Sequence, residues 1–386
     1  MKILVNALST TNESGRQVLC GLLLEFLRQS PDQYRLCVLL HDGNRDIVDH
    51  MRSQLDAALR LRVSFHFAPG ISRNWLGRAC YERLYLQCRV KQVGADLCLS
   101  PSGGWVPGLS CLQYTLALNP WAMVATGPRG ISGQVKAMLQ RRVYRQALKH
   151  ADGIGYGSIH MRGLYRANAG GKSEKCGAIV YPALPTNELA QMDEMWNEEV
   201  ERDARQILCV SHMAAHKDIE TLLLALQILR NEYKVPATLR LVGRWSDVRY
   251  RARMEELVEE LGLVEAVAMD GFLSRSALLD AYRRARVYCL LSRSESFGIP
   301  SVEAQRMGTP VVAARGSAAS EVCGTGGVYV AAGDSQGAAG LLCRLLTDES
   351  YWKKLSLAAR QNALRFEYQK TVRPLLEMLG THAEKL

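Results

Sequence analysis

Residues Arg293–Ala313 read RSESFGIPSVEAQRMGTPVVA. The run RVYCLLSR that leads into them has the length and apolar character of a buried strand. Pro300 suits the first turn of a helix through SVEAQRMG, where a missing N–H costs nothing and a fixed φ fits. SESFG, residues 294–298, is therefore a strand-to-helix turn. At the carboxyl end of a strand, the amides of Ser296 to Ser301 point outward with the positive end of the helix dipole behind them, a natural seat for phosphate. Glu303, placed in the first helical turn, can reach past such a phosphate and accept two hydrogen bonds from a vicinal diol, as a ribose offers. Glu295, on the other side of the turn, can hold hydroxyls of whatever the phosphate carries. Each glutamate alone also has a plainer role: Glu303 complementing the dipole, Glu295 capping the turn.

Working outward, short β-branched or apolar runs alternate with 3.6-period stretches, the pattern of strand-helix-strand units on parallel sheets. Strands are expected at 2–8, 35–41, 63–68, 96–100, 114–119, 153–157 and 178–181, and a second set at 206–211, 238–243, 267–270, 287–291, 310–314 and 328–330. The fold class is α/β, with two doubly wound Rossmann-like domains. Ligands of such sheets sit beyond the carboxyl ends of the strands, so the cleft between two facing sheets is the expected site. The boundaries read as 1–183, a proline-led acidic linker without strands at 184–204, 205–366, and a C-terminal helix at 367–386 that could return to the first domain. A chain of 386 residues exceeds what one core usually supports.

Composition is that of a globular protein, 48% hydrophobic and 22% charged. The eleven cysteines form no C-x-x-C pair and read as free, buried thiols of a reducing cytoplasm. MKILVNALST lacks the apolar core of a secretion signal. The uncharged stretch from Leu97 to Pro128 is broken by Pro101, Pro107 and Pro120, which argues against a membrane span. The net charge of +10 lies wholly in the first half: residues 1–182 hold 23 Lys and Arg against 11 Asp and Glu. Two helical segments concentrate it. Residues 129–149 carry Arg129, Lys136, Arg141, Arg142, Arg145 and Lys149 with no acid, beside Val135, Met138, Leu139 and Val143. Residues 73–91 carry five bases and only Glu82, beside Leu76, Cys80, Leu84 and Cys88. Such helices either lie on an anionic membrane surface or present a solvated basic face over an ordinary core. No helix-turn-helix, RNP-like or zinc-finger pattern points to nucleic acid.

ESFGIPSVEAQRMGTPVV closely resembles the signature of family-4 retaining glycosyltransferases of GT-B fold, in which two glutamates flank F-G and are followed by E-A and G-x-P-V-V. ILCVSHMAAHKDIETLLLAL resembles the strand, phosphate loop and helix that open that family's second domain, and LRLVGR, DGFLSRSALLDAYRRA and SEVCGTGGVYVAAGD follow in order. The first domain is similar only in outline. The resemblance implies that Glu303 binds the ribose and that Glu295 contacts the transferred sugar. Backbone from Ser296, Phe297, Gly298 and Ile299 would meet the diphosphate and sugar. Lys217 would neutralise the departing diphosphate, and Gly15 and Gly243 would line the donor site. His212 stands where relatives carry an arginine, which would make diphosphate binding weaker or pH-sensitive. Asn119 stands where many relatives carry a histidine, and it joins Trp105 and Trp121 as an expected acceptor contact.

The implied reaction moves a hexose from a nucleoside-diphosphate sugar, of GDP-mannose or UDP-sugar type, to a glycan or lipid-linked acceptor. Surface polysaccharide such as O-antigen, capsule or exopolysaccharide would be the product, made by a cytoplasmic enzyme peripheral on the inner membrane. No D-x-D triplet occurs, so no metal or other cofactor is expected. Replacing Lys217 should cut turnover about a hundredfold with the fold intact. His212 and His216 have zinc-compatible spacing but read as loop residues. A GT-B epimerase or hydrolase, or a non-catalytic membrane- or nucleic-acid-binding scaffold, are the alternatives.

Overall fold

The computed structural model describes residues 1–124, 130–196 and 201–383, so Arg129, part of the expected linker and the last three residues lie outside the described residues. The chain divides into two compact units, Met1–Pro185 with Glu367–Leu386, and Thr186–Phe366.

In the first unit, seven parallel strands form one sheet: β1 (Lys2–Asn6), β2 (Arg35–Leu40), β3 (Val63–Phe67), β4 (Leu97–Ser100), β5 (Leu112–Ala117), β6 (Gly153–Tyr156) and β7 (Gly177–Ile179), in the order β3-β2-β1-β4-β5-β6-β7. The second unit has six: β8 (Asp203–Val210), β9 (Thr238–Val242), β10 (Val267–Gly271), β11 (Ala285–Leu290), β12 (Val311–Ala314) and β13 (Gly327–Val330), ordered β10-β9-β8-β11-β12-β13. Each strand overlaps a predicted one, as runs such as LCLS of β4 and ARVYCL of β11, buried along their whole length, allow. Strands buried on both faces are characteristic of parallel sheets covered by helices. Strand order reverses between β1 and β4 in one sheet and between β8 and β11 in the other. Loops beyond such a reversal diverge and leave a crevice.

The C-terminal segment packs on the first unit: Tyr368 donates its hydroxyl to the Val18 carbonyl at 3.2 Å, and Tyr114 donates to Met378 at 3.2 Å. The segment read as a strandless linker instead contains the helix Thr186–Met195, and β8 begins inside it at Asp203. That helix buries only Met192. Ion pairs with distant arginines hold it, which no local periodicity announces.

The two basic helical segments resolve into Trp75–Leu84 with Leu86–Val93, and Gly130–His150. In the last, the buried face is Ala137, Tyr144, Ala147 and Leu148. Val135, Met138, Leu139 and Val143 are all exposed, as are Leu76 and Leu84 on the other segment. The apolar residues that could have been core are on the surface, beside the bases. No described helix is long and apolar enough to cross a membrane. All cysteines are free, but Cys80 and Cys88 are exposed rather than buried.

Candidate functional site

In the second unit the strand-order reversal falls between β8 and β11, and the loops that leave these two strands carry Lys217 and Glu295. After β8 the chain makes a short 3-10 turn, Ala215–Lys217, then places Asp218 in the left-handed region at φ 55°. The Asp218 carboxylate is 2% exposed and accepts two hydrogen bonds from the Arg293 guanidinium, at 2.9 and 3.1 Å. Arg293 also donates its backbone N–H to the His216 carbonyl at 2.9 Å, and the Ser292 hydroxyl donates to the same carbonyl at 3.0 Å. Two loops far apart in sequence are thereby fixed to each other. Across that seam Lys217 Nζ donates to Glu295 Oε1 at 2.5 Å, with side chains only 13% and 9% exposed. The Glu295 carbonyl accepts the Ala318 N–H at 3.2 Å, which holds the turn on its other side.

Gly298 then adopts φ 95°, a conformation that side-chain-bearing residues rarely enter, and starts the helix Ile299–Arg306 with Pro300 in its first turn. Phe297 is buried, its ring edge-on to Phe366 at 5.2 Å, so its side chain anchors the turn while its backbone stays with the loop. Ser296 and Ile299 flank it, both partly exposed.

Glu303 is the fifth residue of this helix and not part of its first turn. It therefore does not serve the dipole at the helix start. It is 7% exposed, and both its oxygens are engaged: Oε2 accepts the Tyr282 hydroxyl at 2.8 Å, and Oε1 pairs with Arg275 Nη1 at 2.6 Å. Burial, with Glu303 beside it, keeps Tyr282 protonated by pushing its pKa well above the usual value. Arg275 pairs at the same time with Glu188 of the helix Thr186–Met195. Burial disfavours the Arg275 charge, but Glu303 and Glu188 outweigh it and raise its pKa; burial and the Glu303 charge raise that of Glu188. Sequence reasoning missed Arg275, Tyr282 and Glu188. Tyr282 and Arg275 sit seven residues apart on the helix Arg275–Arg284, two turns along one face, which is the signal that was available.

The glycosyl transferases group 1 family model matches residues 191–363. These residues form a group 1 glycosyltransferase domain. The D-inositol 3-phosphate glycosyltransferase of Corynebacterium urealyticum is 37% identical over 127 residues, which cover 32% of this chain and 30% of that protein. The match thus spans about a third of the length of such curated relatives. Among solved structures, the Anabaena protein Alr3699/HepE in complex with UDP and glucose superposes with a TM-score of 0.69 at 17% identity, over 99% of this chain and 100% of its own. WaaG, a glycosyltransferase involved in lipopolysaccharide biosynthesis, gives 0.65 at 15% identity over 98% and 99%. The fold is GT-B.

Within the glycosyltransferase domain two further expected residues have other partners. Gly243 donates its N–H to the Gly271 carbonyl at 2.6 Å, and at φ 139° a Cβ there would lie 1.8 Å from the Ser211 carbonyl oxygen. Its smallness lets β9 pass the loop after β8; its amide is already used. His212 is exposed, its Nε2 2.9 Å from the Ser246 hydroxyl. No group of three metal-ligating side chains gathers among the described residues.

The other expected residues belong to the first unit. Gly15 is not in a loop: it lies in the first turn of the helix Glu13–Gln29, where its N–H is taken by the Asn12 side chain at 3.0 Å. Asn119 is exposed and accepts the Trp121 N–H at 2.9 Å. Trp105 is stacked on His150 with ring centroids 4.8 Å apart, and Trp121 lies under the Lys136 ammonium at 5.0 Å. Both tryptophans also pack against the core around Tyr144 and Tyr165.

Proposed function

We propose that the chain is a metal-independent, retaining glycosyltransferase of family 4 that moves a hexose from a nucleoside-diphosphate sugar to a glycan or lipid-linked acceptor. The observation that carries this is the Lys217–Glu295 pair, fixed where strand order reverses, at the start of the helix that bears Glu303. In this reading the diphosphate lies against the amides that open the Ile299–Arg306 helix and against Lys217. As the sugar–phosphate bond breaks through an oxocarbenium-like state, negative charge grows on the leaving oxygen. Preorganised donors stabilise that charge more than the ground state, which is what lowers a barrier. Lys217 supplies the positive charge that a metal supplies elsewhere. Glu295 both orients Lys217 and accepts hydroxyls of the transferred sugar. Glu303 accepts the ribose diol. The acceptor hydroxyl loses its proton to the leaving phosphate on the same face of the sugar, which gives retention.

A UDP-hexose is the favoured donor, because Alr3699/HepE binds UDP and glucose in the same fold. Likeness to WaaG favours a product in bacterial surface polysaccharide, O-antigen included. An acceptor on a lipid carrier agrees with the exposed Val135, Met138, Leu139 and Val143 among the bases of the Gly130–His150 helix, a surface suited to an anionic membrane.

Thermal unfolding of the chain with UDP, GDP and their hexose conjugates tests the reading, since a ligand that binds only the native state raises its stability by RT ln(1 + [L]/Kd). A UDP-hexose should give the largest shift, and nucleotide release should then require an acceptor. Absence of any shift across the set sinks the proposal. Release or isomerisation without acceptor would favour a hydrolase or epimerase instead.

A further inference from the structure

The two glutamates around Arg275 lie on different helices and share one guanidinium. Glu303 comes from the helix Ile299–Arg306, and Glu188 from Thr186–Met195, which directly follows the last residue of the first unit's main segment. Arg275 Nη1 meets Glu303 at 2.6 Å, and Nη2 meets Glu188. The same two helices are tied again, where Arg306 holds Asp193 by two hydrogen bonds at 2.9 and 2.6 Å.

A carboxylate offers about four acceptor positions, two on each oxygen. Arg275 uses one on Oε1 and Tyr282 one on Oε2, so one remains on each oxygen. Two acceptors side by side on a carboxylate whose plane is already fixed match two adjacent hydroxyls. We propose that Arg275, held back by Glu188, is a positioning residue that sets the contact between Glu303 and the donor's ribose diol. Glu188 takes part of the Arg275 charge. Without it, the whole guanidinium turns on Glu303 and competes with the diol for the same oxygens. Without Arg275, Glu303 loses the partner that fixes its plane and faces Glu188 as a like charge. Both changes weaken the reading of the ribose. The helix Thr186–Met195 thereby governs donor recognition although it contributes no ligand of its own.

The inference rests on Glu303 as the ribose ligand, and one experiment separates the two. Calorimetry on the full chain gives Kd for UDP and for 2′,3′-dideoxy-UDP, with GDP and its dideoxy form in parallel. The ratio of the two constants reads the diol contact alone. The unsubstituted chain should prefer the diol form by about tenfold or more, as hydrogen bonds to a charged group allow. Glu303→Gln should abolish that preference. Arg275→Met and Glu188→Gln should each reduce it to about threefold or less, while the dideoxy constant moves little. If Glu303→Gln keeps the preference, the ribose assignment itself fails. If Glu303→Gln loses it but Arg275→Met and Glu188→Gln keep it, or if they weaken both nucleotide forms equally, Arg275 is only a tie between helices and the inference is overturned.

Discussion

Replacing Lys217 by methionine keeps the aliphatic stem and removes the charge, and the structure makes its consequences calculable on two separate scales. Lys217 and Glu295 are 13% and 9% exposed, so truncating one leaves the other as an almost buried, unpaired charge. Breaking a buried pair costs about 3–5 kcal/mol, and the residual exposure places this one near 3. For a unit of this size, about 2–4 °C per kcal/mol gives a fall in Tm of roughly 6–12 °C. The sequence alone led to the expectation of an intact fold; the Glu295 carboxylate left behind is why stability falls as well. Catalysis is a second loss. Removing one preorganised donor from a developing oxyanion costs about 3 kcal/mol, a factor of roughly one hundred in turnover. The assay is acceptor-dependent nucleotide release from the best-binding nucleotide-sugar, measured well below the variant's Tm. A double variant, Lys217→Met with Glu295→Gln, should recover most of the lost Tm and none of the turnover. If Lys217→Met turns over within about threefold of the unsubstituted chain, the lysine does not meet the leaving group and the mechanism is wrong.

Gly298→Ala forces a side chain to φ 95°, which should cost about 1–2 kcal/mol and, if the proposed diphosphate seat is right, weaken nucleotide binding more than a comparable loss elsewhere, because the strained residue opens the helix assigned to it; chemical denaturation and calorimetry read the two effects. Burial pulls the Asp193 carboxyl up, but hydrogen bonds from Arg306 and Arg360 outweigh it and hold it below the usual range. A group depressed in the folded state stabilises above its unfolded pKa, about 3.9, and loses that contribution as pH falls through the folded one. Asp193→Asn should therefore lower Tm at pH 7, with the gap closing in thermal scans below about pH 4. Vesicles of anionic lipid should sediment with the chain and neutral ones should not; Lys136→Glu with Arg142→Glu should lower that binding about tenfold or more, as loss of roughly 1 kcal/mol per base predicts, and unchanged sedimentation would remove the membrane from the acceptor reading.

The inner strands were legible because a parallel sheet buries both their faces, so that β4, β6, β11 and β12 are buried along their whole length and read as short apolar runs. ARVYCL and LCLS needed no partner to be recognised. The turn at 294–298 was legible for a similar local reason: Pro300 fixes φ and lacks an N–H, which suits the first turn of a helix, and Gly298 is free to take the φ of 95° that side-chain-bearing residues rarely enter. What escaped was set by which hydrogen-bond partner or helix face the folded chain uses, which a residue's own identity does not state. Gly15 was expected to line the donor site, and the sequence did not show that its amide is taken by the Asn12 side chain three residues earlier. Val135 and Met138 looked equally like core or surface until the tyrosine and alanines of the same helix claimed the interior.

The site shows the same division with a functional consequence. Lys217 and Glu295 stand 78 residues apart, and what joins them is the reversal of strand order between β8 and β11, reinforced by Asp218 gripping Arg293. Neither glutamate of the 293–313 stretch works as a lone charge near a helix start. Glu295 is completed by a lysine from the neighbouring loop, and Glu303 by Arg275, Tyr282 and, one step removed, Glu188. A motif read along one strand and helix supplies the two acidic side chains; two other segments supply the cations and the hydroxyl that fix their geometry, and a third supplies the Glu188 carboxylate that shares Arg275. Substitutions in those segments should therefore alter donor recognition while leaving every residue of the motif unchanged.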